Sequence, residues 1–511
     1  MDARAEILIV GAGPTGLVLG LALARRGIGF RLIDAEPGPG AQSRAMAVHA
    51  RTLEFYRQFG FADEVVAQGI VSEAIRLRAP DAGGGSREVV RIRFGDIGRG
   101  LSRYPFVLSY PQDLHERLLV GRLAAAGGGV EWDTRLTGLV QDADGVEATI
   151  ARTGGEVEVA RFAYVCGCDG AHSAVRDALG TGFGGGVYAQ PFYVADVAIA
   201  GPGDTDLRVN LGEDILALMF PVRTTGMHRL IGLVPRRLWD KTDLGFADIR
   251  AEVEALVGIR VAEVNWFSRY RVHHRVADRF TVGRAFLLGD AGHVHSPVGG
   301  QGMNTGIGDA VNLGWKLAHV MSGRADPRLL ASYDPERLTF ARSLIATTDR
   351  LFSVIVAGGV GGELLRRIAI PAVVGVGARF GATRRAAFGR VSQIRIAYRD
   401  SPLSVGAVGA VRGGDRLPWV ADGAGDNFAP LDSLDWQAHV YGEVHPDLGA
   451  EAARLGLPVH RFAWSAATEK AGLRRDAVYV VRPDGHVGLA AADQGAAGLA
   501  AYFGEIGARP G

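Results

Sequence analysis

Residues 283–306 hold the densest grouping of chemistry-bearing side chains and bare backbone in the sequence. A short apolar run, 285–288, ends in Gly289-Asp290. His293 and His295 follow, then Pro297 and the turn Gly299-Gly300-Gln301-Gly302-Met303-Asn304. Read as strand, turn and helix, this run sets one carboxylate beside a row of backbone N–H groups that no Cβ shields. A helix from about Gln301 to Met321 would aim its unpaired N–H groups at whatever lies against the turn. Its dipole would favour a developing negative charge there by about 0.3–2 kcal/mol. Pro297 fixes the chain before the turn and offers no competing N–H. A polyol and an electron-rich ring suit such a place.

A second glycine cluster stands near the other end. Residues 6–10 are apolar with β-branched members and predict a strand. Gly11-Ala12-Gly13-Pro14-Thr15-Gly16 follows, then an apolar helix to about Arg26 and a strand over 30–33 ending at Asp34. This is the strand–turn–helix–strand context that a dinucleotide fingerprint requires. Gly11 permits the tight turn, Gly13 lets a pyrophosphate reach the backbone, and Gly16 lets helix and strand pack closely. Pro14 and Thr15 open the helix whose N-terminus favours phosphate. Asp34 stands where an acid binds a ribose hydroxyl. The fingerprint alone does not choose between NAD and FAD.

Residues 164–176 form a third motif: a strand containing Cys166 and Cys168, an Asp169-Gly170 turn and a helix start reaching Arg176. With both glycine motifs, in this order, the chain resembles the single-component (class A) FAD-dependent aromatic hydroxylases. These flavoprotein monooxygenases include the para-hydroxybenzoate, phenol and polyketide hydroxylases. The resemblance spans residues 5–345 and lies closest to the phenol- and polyketide-hydroxylase branch. It implies that Gly11, Gly13, Pro14, Thr15 and Gly16 serve the FAD pyrophosphate and that Asp34 replaces the family's more usual ribose glutamate. Arg44 matches an arginine near the FAD phosphates, and Gln112, before a predicted helix over 113–125, a glutamine that contacts the flavin side chain. Asp169 and Arg176 match a motif tied to FAD and NADPH pyrophosphate. Asp290 matches the ribityl-binding aspartate, with Gly292 where the family usually has Ala. Pro297, Gly300, Gly302, Met303 and Asn304 match the segment against the isoalloxazine ring.

The reaction implied is hydroxylation of an aromatic, phenolic or polyketide-like substrate with NADPH or NADH and O₂ through a flavin C4a-hydroperoxide. Other FAD chemistries on the same fold (epoxidation, Baeyer–Villiger oxidation, reduction) and a non-catalytic flavin-binding redox module are the alternatives. The resemblance requires neither metal nor protein nucleophile. The sequence holds no paired-histidine zinc pattern and no Gly-x-Ser-x-Gly elbow. A phenol ionises near pH 10, so a base or positive field would help it react. His49, His273, His274 and Tyr104 are unranked candidates for that role. His293 and His295 are candidates for direct proton transfer beside the flavin, although the resemblance implies that such histidines more often hydrogen-bond backbone there; His49 and His295 stand as the catalytic candidates.

Composition narrows the rest. The chain has 511 residues, 48% hydrophobic and 22% charged, with net charge +1. Such a balance gives no electrostatic case for nucleic acid or an anionic membrane. No run reaches the 18 apolar residues of a membrane span; the apolar stretch 351–360 is short, with Arg366 and Arg367 soon after. No leader peptide is expected, and a cytoplasmic location follows. The two cysteines, Cys166 and Cys168, read as small buried side chains. Glycines at 83–85, 127–129 and 184–186 read as loops.

The expected fold class is α/β. A Rossmann-type FAD-binding domain (1–180 and 281–345) would hold an inserted antiparallel-sheet substrate domain (181–280). Strands are predicted there at 192–199, 207–210, 215–221, 229–235 and 264–274, with a helix over 246–257. Phe220, Trp266 and Phe267 are candidate pocket walls. A helical connection (346–405) would lead to a thioredoxin-like C-terminal domain lacking cysteines (406–511), with strands at 437–441, 458–464 and 477–482. That domain cannot be a dithiol redox unit. A scaffold or homodimer contact is its expected role.

Overall fold

The structure is a computed structural model that describes residues 6–40, 45–80, 86–201, 203, 205–212, 215–222, 226–296, 299–355, 381–422 and 425–510. Arg44, Pro297, the glycines at 83–85, residues 356–360 and Arg366 and Arg367 lie outside the described residues.

The nucleotide fingerprint folds as its sequence predicts. Ile7–Val10 pairs in parallel with Phe30–Ile33 on one side and Tyr164–Gly167 on the other. Ala285–Leu287 adds a fourth parallel strand, and Thr281–Val282 closes the edge antiparallel. The central strands of this sheet are apolar; Ile7, Leu8 and Ile9 have no exposure. Cys166 and Cys168 are buried, unpaired thiols at the end of the middle strand. The helix Pro14–Ala24 starts on proline and packs against the long helix Gly302–Met321. A Cβ on Gly314 would stand 2.9 Å from that of Ala22, so the glycine sets the helix spacing. The antiparallel strands Thr134–Gln141, Val146–Arg152 and Val157–Phe162 form a separate small sheet.

The second sheet has eight strands and is wider than the sequence suggests. Its spine is two seventeen-residue strands, Phe183–Ile199 and Val261–Ala277, paired antiparallel with three register irregularities. Met227–Leu233, Leu216–Val222 and Leu207–Leu211 continue it. Two further strands come from far upstream, Ala74–Pro80 and Ser86–Arg93. The glycines at 184–186 are strand rather than loop. Gly185 sits at φ 135°, and a Cβ there would lie 1.9 Å from the His274 carbonyl oxygen, so bare backbone is what lets the strand continue. The expected helix over 246–257 is a short turn, Phe246–Asp248, followed by Arg250–Val257. Phe267 stacks on Tyr193 and packs under that helix, which makes it core rather than pocket wall. Phe220 packs towards the nucleotide-binding core, and Trp266 lies beneath the Arg229 guanidinium.

The C-terminal region has the thioredoxin-like arrangement. Gln437–Tyr441 runs parallel to Val459–Phe462 after the helix Pro446–Leu455. Val478–Val481 and Val487–Ala491 add antiparallel on its other side, and the helix Ala496–Ile506 follows. The long helix Gly302–Met321 enters this core: Trp315 meets Trp436 edge-on at 5.4 Å. Beside that contact lies a dry ionic cluster. Glu336 accepts from Lys316 Nζ at 2.7 Å, from both terminal nitrogens of Arg482 at 2.7 and 2.9 Å, from Ser401 and from Asn312. Arg482 also pairs with Asp484, whose backbone carbonyl accepts from Arg51. Burial alone would push the Glu336 carboxyl up, but Arg482 and Lys316 hold it far below its ordinary value.

Removing one member of such a cluster strands the others without solvent. Glu336→Gln is expected to destabilise the protein by about 3–5 kcal/mol, read as a lowered denaturant midpoint. Acid should weaken the fold for a separate reason. Burial holds His115 and His439 down to about 3, and His49, His295 and His486 to about 4. The unfolded chain therefore binds more protons between pH 6.5 and 4, and stability falls as pH drops through that window, by about 1.4 kcal/mol per pH unit for each group. Denaturation midpoints at pH 7.5, 6 and 5 check the slope; a flat profile rejects it.

Candidate functional site

The glycine turn after Val10 is built from contacts only glycine allows. Gly11 adopts φ 101°, and a Cβ on it would meet the Cys168 carbonyl oxygen at 2.4 Å. A Cβ on Gly16 would lie 1.9 Å from the Gly11 carbonyl oxygen. Gly13 differs: nothing stands within 4 Å of where its Cβ would be. It borders an open cleft of about 470 Å³ lined by Gly11, Asp34, Glu116, Trp132, Asp169 and His172 among others. A bare backbone facing open volume at a helix N-terminus can take a pyrophosphate.

Two carboxylates frame the cleft. Asp34 accepts from the Ala12 N–H at 2.5 Å and from the Glu36 N–H at 2.9 Å, which ties the second strand to the glycine turn. Asp169 accepts from the Ser173 hydroxyl at 2.5 Å and the Val175 N–H at 3.1 Å. Burial pushes its carboxyl up, and those donors oppose the shift. Arg176 donates to the Ala171 and Ala291 carbonyls and lies over the Phe183 ring, so it bolts the Asp169 turn to the Asp290 turn. Gln112 is the first residue of the helix Gln112–Ala125, not the residue before it. Its side chain accepts from the Ala45 N–H and donates to Glu116, which takes the Gly40 N–H. It shapes the wall of the cleft.

The 283–306 segment meets the Gly11–Gly16 turn through Thr15. A Cβ on Gly289 would lie 2.7 Å from Thr15 Oγ1, and one on Gly306 2.3 Å from the same atom. Asp290 follows, exposed, in the short turn Gly289–Ala291. The turn is held by Asp309, which the sequence reading missed. Its carboxylate accepts from the Gly289 N–H at 2.9 Å and from Arg337 Nε at 2.6 Å, and contacts His293 Nε2 at 2.7 Å. Although burial pushes the Asp309 carboxyl up, Arg337 and His293 hold it below its ordinary value. The available signal was a single acid in an otherwise apolar stretch of helix.

Gly299 and Gly300 adopt φ 84° and 62°. A Cβ on Gly300 would press to 2.7 Å from Ala47 Cβ. Asn304 secures the turn from within: Oδ1 accepts from the His49 N–H and the Thr52 hydroxyl, and Nδ2 donates to the Ala47 and Gly300 carbonyls. Its side chain is thus committed to protein, which leaves the backbone of Gly300, Gly302 and Met303 as the surface a ring can approach. His49 Nε2 stands 2.9 Å from the Gly299 carbonyl oxygen, and His295 Nδ1 2.9 Å from that of Ser296. The remaining base candidates are placed otherwise. His273 is exposed, His274 stacks near Tyr188, and Tyr104 lines a separate hollow with Arg57, Phe61 and Arg103.

A two-layer nucleotide fold, an open cleft at its glycine turn and a bare turn at a second helix N-terminus together define a flavin-dependent oxidoreductase. Residues 4–348 match the FAD binding domain family, and the chain belongs to it, as an FAD-dependent monooxygenase of the aromatic-hydroxylase class. It is 35% identical to a 6-methylpretetramide 4-monooxygenase of Streptomyces rimosus over 78% of this chain and 71% of that one. It is 31% identical to a flavin-dependent monooxygenase of Mycobacteroides abscessus over 94% and 96%. An anhydrotetracycline hydroxylase structure from Streptomyces rimosus superposes with TM-score 0.78 at 27% identity, covering 99% of this chain and 100% of that one.

The glycines separate binding from folding. Gly13→Ala should fold as well as the parent yet bind FAD at least about tenfold more weakly, a loss of about 1.4 kcal/mol. Gly11→Ala should lose about 1–3 kcal/mol of stability as well, because its φ and its neighbour both forbid a Cβ. Flavin titration of apoprotein beside thermal melts distinguishes the two; equal FAD affinity for Gly13→Ala and the parent would remove the pyrophosphate from this cleft.

Proposed function

We propose that this monooxygenase hydroxylates an aromatic substrate of phenolic or polyketide-like type, using O₂ and NADPH or NADH. The observation that carries the reading is the Gly299–Gly300 turn. Binding a dinucleotide needs only the first cleft, whereas a second bare backbone surface at the N-terminus of a twenty-residue helix serves a ring that becomes negatively charged on reduction. The relatives named for polycyclic polyketides support the substrate class.

In this reading Gly11, Gly13 and the helix from Pro14 hold the pyrophosphate. Asp34 takes a ribose hydroxyl in exchange for a backbone partner, and Asp290 faces the ribityl chain. Bound FAD supplies the redox and oxygen-activating chemistry. The protein's part is positional. Asp309 fixes where the Asp290 turn points, and Asn304 keeps Gly299 and Gly300 in a shape that admits the ring edge. The N–H groups of Gly302 and Met303 stabilise negative charge there. The antiparallel sheet covers the substrate and keeps water out.

The test is the visible spectrum of purified protein, followed by anaerobic reduction with NADPH and NADH, with and without phenols and polycyclic aromatics. A yellow protein whose reduction accelerates with one compound, and which then incorporates labelled oxygen into it, is the expected result. Bound FAD that neither nicotinamide reduces with any compound moves the reading to a reductase or to a non-catalytic flavin module.

A further inference from the structure

We propose that His295 reads the substrate. Its bare Nε2 accepts a hydrogen bond from a hydroxyl on the aromatic ring, so the substrate class is one that carries a free O–H at that point, a phenol rather than its ether. The inference rests on the aromatic-hydroxylase reading and adds the group that selects the ring substituent.

His295 Nδ1 lies 2.9 Å from the Ser296 carbonyl oxygen. A carbonyl oxygen only accepts, so Nδ1 carries the hydrogen. A neutral imidazole has one such hydrogen, which makes Nε2 a lone pair. That atom is buried and no protein group donates to it. Buried polar atoms are nearly always paired, so this one marks the place of a donor from outside the chain. His49 has the same chemistry in mirror form, with Nε2 on the Gly299 carbonyl and a bare Nδ1. It differs in surroundings: His49 is 1% exposed, whereas His295 is partly exposed as a residue although its Nε2 is itself covered. His49 braces the turn, and His295 lies nearer the surface.

The position suits a substrate contact. His295 Nε2 lies 3.9 Å from where a Cβ on Gly302 would stand, at the start of the long helix. The preceding Val294 pairs with Arg275 of the long strand Val261–Ala277. The nitrogen therefore sits at the seam between the bare turn and the antiparallel sheet. Among the groups around it, His293, on the short strand just before it, lies ring-parallel at 6.5 Å and is tied to Asp309. Asp349, on the helix Thr339–Ile355, accepts the Tyr188 hydroxyl from the sheet, and Tyr188 lies 4.6 Å from the His274 ring. Burial pushes His295 down to about 4, against the opposing pull of the Ser296 carbonyl and Asp349. The imidazole thus stays a neutral acceptor at ordinary pH. So weak a base leaves the phenol its proton and polarises the O–H bond instead. A site built to bond a hydroxyl discriminates strongly against an analogue that lacks it.

The experiment uses the FAD-loaded full chain with matched pairs: 4-nitrophenol against 4-nitroanisole, and 1,8-dihydroxyanthraquinone against its dimethyl ether. Binding is read from perturbation of the flavin spectrum, at pH 5 to 8. Binding of each phenol at least about tenfold tighter than its ether, a preference of about 1.4 kcal/mol, with acceptor pairing flat between pH 5 and 6.5, is expected. His295→Leu should bring the ratio close to one by weakening the phenol, and His295→Gln, which keeps an acceptor, should restore part of it. An unchanged ratio in His295→Leu overturns the proposal. Weakened FAD retention with the ratio intact once excess FAD is supplied also overturns it, because the unpaired nitrogen would then serve the flavin. Ethers that bind the parent as well as phenols do, and are oxygenated, overturn it while the hydroxylase reading survives. If no member of either pair binds, the proposal falls together with the phenolic reading.

Discussion

Asp309 lies without solvent in the middle of an apolar helix, and its carboxylate has partners on three other segments. It holds the backbone of Gly289, the ring of His293 and the guanidinium of Arg337. Arg337 in turn bonds the Thr305 carbonyl and the Tyr398 hydroxyl. A buried charge of this kind is held in place by its partners and holds them in return, because any one of them moving away leaves an uncompensated ion. The turn that carries Asp290, the short strand His293–Val294 that precedes His295 and the first turn of the long helix are therefore fixed relative to one another by electrostatics rather than by apolar packing alone. The bare backbone at Gly299 and Gly300 can stay open because its neighbours are pinned.

Local pattern and non-local pairing divide what could be read from the sequence. The strands Phe30–Ile33 and Gln437–Tyr441 and the long helix stand where apolar runs and helix-start signals put them. The two glycine motifs and the 164–176 motif converge because each carries its geometry in its own spacing. What escaped the reading depends on partners far away in the chain. Ser86–Arg93 alternates arginine with apolar residues and joins the second sheet only through Ala74–Pro80, itself paired with residues 207–210. Gly184–186 looks like a loop until His274 is known to lie opposite. Asp309 and Arg337 are 28 residues apart, and Glu336 and Arg482 are 146. The tautomer of His295 is set by the carbonyl of the next residue, which composition does not reveal. Asn304 shows the opposite lesson: its place in the motif was legible, but the structure commits its side chain to bracing the turn.

The long helix is the member that joins the two ends of this account. Its N-terminus follows the Gly299–Gly300 turn, and further along, Trp315 and Lys316 belong to the contact with the thioredoxin-like region. One rod thus serves both the glycine turn and a domain core. The C-terminal fold has no cysteine and so cannot be a dithiol redox unit, yet its Arg482 neutralises an acid that belongs to the flavin-binding part of the chain.

That shared ion pair bears on how such a protein can be rearranged. Domains joined by a flexible linker can be exchanged between relatives with little regard for their neighbours. Here a chimera that imports a different C-terminal unit must also import a cation at position 482 and an indole at 436, or else rewrite Glu336, Lys316 and Trp315 inside the catalytic half. The two parts are separate folds but a single unit of inheritance, and recombination between them is constrained to parents whose buried charges already agree.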